Sequence, residues 1–119
     1  MNTNEIAKRL VELCRNSEWE IAQKELFAND AKSIEPHSTP GFERETKGLD
    51  AIIEKSKKWD SMVKENHGIT VSDPVVADNS FACTMRMNVT MQDGNHWDMT
   101  ELCVYNVKDG KIISEEFFM

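Results

Sequence analysis

Two glutamates fall where the surrounding pattern calls for apolar side chains. Residues 81–91 alternate strictly, with Phe81, Cys83, Met85, Met87, Val89 and Met91 separated by Ala82, Thr84, Arg86, Asn88 and Thr90. This is the period of a strand with one buried face. The odd positions of 96–107 are Trp97, Met99, Glu101, Cys103, Tyr105 and Val107, and a third segment, 111–118, brings Glu115 and Phe117. For the odd positions to share a face, opposed residue numbers must sum to an even value. Three-residue turns, Gln92-Asp93-Gly94 and Lys108-Asp109-Gly110, meet that condition with glycine in the left-handed position. They predict the cross-strand layers Cys83–Cys103–Glu115, Met85–Glu101–Phe117 and Met87–Met99–Met119.

In these layers Glu101 lies between Met85 and Phe117, diagonal to Glu115. A lone carboxylate on an apolar face is costly to ionise, so it needs a partner, a water-filled cavity or a proton. Methionines are flexible and polarisable and suit adaptable apolar ligand sites. One reading is therefore a pocket, with Met85, Met87, Met99, Cys103, Glu115, Phe117 and Trp59 as its lining. The other is a tight irregular core in which methionine fills gaps and the glutamates bind amides or water. Trp59 lies at helical spacing and fits a pocket wall or plain core equally. His37 in a loop, and His67 and His96 near strand ends, read as surface. The Lys55–Lys58 run reads as a solvated helix face. Cys83 opposite Cys103 is expected to stay reduced.

The elements that position these residues form a helical first half and a strand-rich second half. Ile6, Leu10, Leu13 and Cys14 make one helical stripe, capped by Asn2 or Thr3. Ser17-Glu18-Trp19-Glu20 has the pattern of a capping box opening a second helix, with Trp19, Ala22, Leu26 and Phe27 inward and Asn29-Asp30 at its end. Ala31–Glu35 predicts a short strand stopped at Pro36. Residues 36–48 hold Pro36, Pro40, Gly41 and Gly48 without periodicity, the profile of a lid or mobile loop. A third helix carries Leu49, Ile52, Ile53, Ser56, Trp59 or Asp60, and Val63. A weaker strand over 69–77 is interrupted by Pro74.

The 119 residues make one domain. Fourteen Lys and Arg against 21 Asp and Glu give a net charge of −7, which argues against a nucleic-acid or anionic-membrane surface, since those need clustered positive charge. No apolar run approaches the ~18 residues of a membrane span. The start, Met1-Asn2-Thr3-Asn4-Glu5, lacks the basic and apolar regions of a signal peptide, so a cytoplasmic location is expected. Cys14, Cys83 and Cys103 form no metal-ligand spacing, and no metal or other cofactor is expected.

Several segments together carry a family resemblance: Leu26-Phe27-Ala28-Asn29-Asp30-Ala31, the Glu35-Pro36 pair, Lys47-Gly48-Leu49-Asp50-Ala51-Ile52, and Asp109-Gly110-Lys111-Ile112 leading to Glu115-Glu116-Phe117-Phe118. Over essentially its whole length, 1–119, the chain resembles the SnoaL-like and ketosteroid-isomerase-like families of the nuclear transport factor 2-like superfamily. The resemblance implies an α+β cone, three N-terminal helices packed on a curved, mostly antiparallel sheet around a pocket. It places Glu35 where the isomerases carry their general-base aspartate and Glu101 where they carry a neutral oxyanion-hole acid, a role that ketosteroid isomerase itself exemplifies among known carboxylic acids. The phenol expected near Val11 is missing, and Tyr105, the only tyrosine, lies on a strand. The expected ligand is a small, mostly apolar carbonyl compound, with isomerase, cyclase or dehydratase chemistry, or a non-catalytic ligand-binding or dimerisation role as the alternative. The even-numbered Leu102, Val104, Ile112 and Phe118 predict an apolar outer sheet face, and the resemblance implies a homodimer through it.

Overall fold

The computed structural model describes residues 1–119. Helix α1, Thr3–Arg15, is capped by Asn2, one of the two expected caps, and the cap is a full capping box: the Asn2 side chain accepts from the Glu5 amide, and Glu5 accepts from the Asn2 amide. Helix α2, Trp19–Leu26, follows after a tight reversal. The capping box expected at Ser17 does not form. Ser17 instead terminates α1 in the left-handed conformation (φ 57°), donating its amide to Cys14, while the Glu18 amide bonds Leu13. That pair of bonds is a Schellman closure.

Strand β1, Phe27–Ile34, begins where α2 stops. It is longer than the expected 31–35 strand and takes in Asn29-Asp30, which sit in an irregular stretch of its pairing with the last strand. The loop expected over 36–48 contains a short strand β2, Glu45–Lys47, paired antiparallel to β1. Helix α3, Leu49–Met62, starts at Gly48 (φ 94°) and passes directly into strand β3, Val63–Val71. Residues 64–68 of β3 are exposed and do not alternate, because β3 is an edge strand with two register shifts; this hid its first half from the hydrophobic pattern. Pro74 separates it from the two-residue β4, Val75–Val76.

Strands β5 (Ser80–Met91), β6 (His96–Lys108) and β7 (Lys111–Phe118) complete a mixed sheet of order β2-β1-β7-β6-β5-β3, in which only β1 and β7 run parallel. The three helices pack on it as an α+β cone, 42 × 26 × 23 Å. Ile6, Leu10 and Leu13 of α1, Leu26 of α2 and Ile52 of α3 join Phe81, Cys83, Cys103 and Ile112 of the sheet in one apolar core. No helix is long and apolar enough to cross a membrane.

The β5–β6 register is the expected one, with Cys83 opposite Cys103, Met85 opposite Glu101 and Met87 opposite Met99. The β6–β7 register is not. Asp109 (φ 54°) and Gly110 (φ 76°) form a two-residue turn, pairing Val107 with Ile112, and a bulge then adds the odd residue inside the ladder. Beyond the bulge Tyr105 faces Glu115 and Cys103 faces Phe117. The inward set keeps its parity, but β7 is displaced by two residues, so Glu101 and Glu115 are no longer diagonal neighbours. The bulge also turns Ile112 inward, where it is fully buried, so it leaves the expected outer patch. Leu102 and Phe118, directly opposite each other, remain exposed there.

Candidate functional site

Four elements bring charged side chains to one end of the inner sheet face. Ala31 and Ser33 are the inward residues of β1, so the chain delivers Glu35 just past the strand end on the same side. Glu115 and Phe117 come from β7, Glu101 from β6, and Lys55 from α3. Lys55 follows Ile52 by three positions and precedes Trp59 by four, which sets it on the inward stripe of the helix. Its side chain is 14% exposed, so the solvated face expected for Lys55–Lys58 does not hold at its first residue.

Lys55 Nζ donates to Glu35 Oε1 at 2.9 Å and to Ser33 Oγ at 2.5 Å, and the Ser33 hydroxyl donates to Glu115 Oε1 at 2.8 Å. The result is a continuous chain, Glu35–Lys55–Ser33–Glu115, running from a partly exposed carboxylate to a buried one. Burial pushes the Glu115 carboxyl up to about 7, against the opposing pull of Lys55 and the Ser33 hydrogen bond. Glu101 has no such donor. Burial, then the charges of Glu35 and Glu115, push it up to about 7 as well, with Lys55 opposing. Two acids that change charge near neutral pH thus share one side of the sheet.

Around them, Met85 and Met87 are buried, while Met99, Phe117 and Trp59 are partly buried against the core. Lys55 Nζ lies 6.0 Å from the centre of the Phe117 ring. Trp59 stacks at a tilt on Trp97, 5.8 Å between centroids. Trp97 was legible as a neighbour, since it shares the odd face with Met99 and Glu101. Cys103 is fully buried and its hydrogen bond with Cys83 pushes its thiol up, which makes it a packing residue. Tyr105, also buried, stacks on Phe81 with centroids 4.8 Å apart. All three cysteines are free thiols. His37, His67 and His96 are exposed, and no three His, Cys, Asp or Glu side chains are grouped to hold a metal ion.

Two clefts flank this cluster. One, of about 430 Å³, is lined by Lys55 with residues of the 41–47 segment, Ala51 and Lys58. The other, of about 350 Å³, is lined by Trp19, Trp59, Met87, Val63 and Val89, with Ser17, Asp60, Lys64 and Asn66. Of the expected lining residues, Trp59 and Met87 reach a cleft; Met85, Met99, Glu101, Cys103, Glu115 and Phe117 line neither.

A cone of three helices on a mixed sheet is the fold of the nuclear transport factor 2-like proteins. Within it, a model of the SnoaL-like domain matches residues 1–119, and the chain belongs to the SnoaL-like family. A candidate SnoaL-like polyketide cyclase from Mesorhizobium loti is 32% identical, with a TM-score of 0.92 over 100% of both chains. TerC, crystallised with polyporic acid, superposes at a TM-score of 0.78 with 14% identity, over 97% of this chain and 88% of its own. A ketosteroid isomerase-like protein from Catenulispora acidiphila, in complex with trimethylamine, gives 0.74 with 12% identity, over 97% and 85%. The last two likenesses bear on fold alone. No curated protein matches the sequence.

Proposed function

We infer that this chain binds a small, mostly apolar carbonyl compound and catalyses proton transfer at the carbon next to its carbonyl group. One observation carries this reading: Glu101 has no hydrogen-bonding partner, and burial with the charges of Glu35 and Glu115 pushes its carboxyl up to about 7, while Glu35 is held in an ion pair with Lys55. In the reaction, the second oxygen of Glu35, left free by Lys55, takes the proton from carbon. The neutral Glu101 carboxyl donates a hydrogen bond to the carbonyl oxygen as it becomes an enolate. An ionised Glu101 would repel that oxygen. Met87 and Trp59 supply the apolar surface. The likeness to a candidate SnoaL-like polyketide cyclase from Mesorhizobium loti supports this reaction class.

The outer face of β6 and β7 supports a homodimer. Leu102 and Phe118 are 42% and 47% exposed and adjacent, with Val104 beside them.

Deuterium uptake at the α-carbon of simple apolar ketones in heavy water, followed by proton NMR, tests the chemistry. Exchange above background that Glu35→Gln abolishes is expected. Equal exchange with and without the protein, together with a metabolite retained through purification and seen by native mass spectrometry, favours the alternative, a non-catalytic binding domain.

A further inference from the structure

The outer face of the sheet carries a histidine pair that the acid site does not use. Thr90 of β5 is opposed by Glu65 of β3 on one side and by His96 of β6 on the other, so these three form one row. The β3–β5 register then shifts between Asn66 and Gly68, and the residue added to the edge strand there is His67. A bulge re-aims a side chain. This one turns His67 onto the same row, with its Nε2 2.7 Å from Thr90 Oγ1 and 3.7 Å from Glu65 Oε2. Thr90 stands between β3 and β6, so that hydrogen bond points His67 Nε2 toward His96. The two imidazoles lie 5.5 Å apart between ring centres, their planes at 39°.

The spacing matches a shared metal ion. Zinc–nitrogen bonds of about 2.1 Å put each ring centre about 3.2 Å from the metal, and a tetrahedral angle then separates the centres by about 5.2 Å. A right angle, as at square-planar copper, would bring them to about 4.5 Å. The local charge agrees. Glu65 and Asp98 share this face, and Arg86 neutralises Asp98 through bonds of 2.9 and 2.7 Å, which leaves one carboxylate unbalanced. Lys64, the remaining neighbour in charge, lines the inner cleft instead. We propose that His67 and His96 bind a divalent transition metal ion in tetrahedral geometry, zinc foremost. No group of three protein ligands forms, so water completes the coordination. The ion would tie edge strand β3, at its second register shift, to β6 across β5. The site lies on the opposite face of the sheet from Glu101, so its test leaves the carbonyl-site reading untouched.

Zinc sulfate is titrated at pH 7.5 into the full chain and its His67→Gln, His96→Gln and His37→Gln variants, by calorimetry and by nitrogen-15 NMR of the imidazole rings. The wild type is expected to bind one zinc per chain, with the His67 and His96 ring signals shifting together. Each of those two substitutions weakens binding about tenfold or more, whereas His37→Gln, at an exposed loop histidine, leaves it unchanged. Binding also weakens at pH 5.5, because an imidazole must be neutral to ligate. Both side chains are exposed and lie on different strands, so each variant is a check on the folding of the other. No saturable binding by the wild type overturns the proposal. So does zinc affinity unchanged in either variant, a shift confined to one of the two rings, or equal weakening by His37→Gln.

Discussion

Glu101→Gln removes the titrating proton while keeping the side-chain shape, so its effect on stability must depend on pH. The Glu101 carboxyl rises from 4.5 to about 7 on folding. Between those values the folded chain holds a proton that the unfolded chain has released. Stability therefore falls as pH rises through this window, and the loss is complete above pH 7. At about 1.4 kcal/mol per tenfold change, the full displacement corresponds to roughly 3 kcal/mol. Glu101 is only partly buried, so solvent screening brings the expected loss to about 1–2 kcal/mol. Glutamine does not ionise. The variant is thus expected to match the wild type near pH 4.5 and to exceed it by about 1–2 kcal/mol at pH 8, a melting-point gain of roughly 4–8 °C for a domain of this size. Urea melts of both proteins at half-unit steps from pH 4.5 to 8.5 measure the difference curve. Glu115 contributes the same slope to both proteins as far as the two acids are independent, and Glu101→Gln/Glu115→Gln should flatten what remains. Parallel stability curves would refute the reasoning, because Glu101 would then ionise in the folded state as it does in water.

Ser33→Ala deprives buried Glu115 of its donor and should destabilise by about 1–3 kcal/mol, more at pH 8 than at pH 5, in thermal melts. Phe117→Ala should lose roughly 3 kcal/mol, the low end for a phenylalanine truncation, since the ring is only partly buried; a loss below about 1 kcal/mol in denaturant melts means that the ring borders open space. Leu102→Glu and Phe118→Glu should each convert a dimer to a monomer in light scattering at tens of micromolar protein, within the common micromolar affinity range; a monomeric wild type contradicts the interface.

The cone, its helices and the inner face of the sheet were legible because alternation over 81–91 is long and strict. The β5–β6 register followed because Gly94 (φ 89°) takes the left-handed place in a three-residue loop. The β6–β7 register did not, for a local reason. Asp109 accepts positive φ beside Gly110, so the turn shortens to two residues and the parity is restored by a bulge. Ile112 and Ile113 are both apolar, and nothing in their order shows which one faces inward. Parity alone still placed Glu101 and Glu115 correctly on the inner face. The site's cation was harder to see. Lys55 sits on the apolar stripe of α3, yet in a run of lysines its charge reads as solvated, and only the fold shows Glu35 and Ser33 waiting for it. Ser33 follows the two-residue period set by Ala31, a signal too short to separate from a loop in sequence.

Carbon-13 NMR of the side-chain carboxyls, titrated from pH 3 to 9, tests the central claim most directly, because it reads the Glu101 proton without a ligand or an assay. The account predicts that Glu101 titrates near 7, well above an ordinary glutamate, and that the Lys55→Met variant moves it further up, since Lys55 is the charge that opposes the rise. A Glu101 titrating at or below 4.5 would contradict it: the carboxyl would be ionised at neutral pH, unable to donate to a carbonyl oxygen.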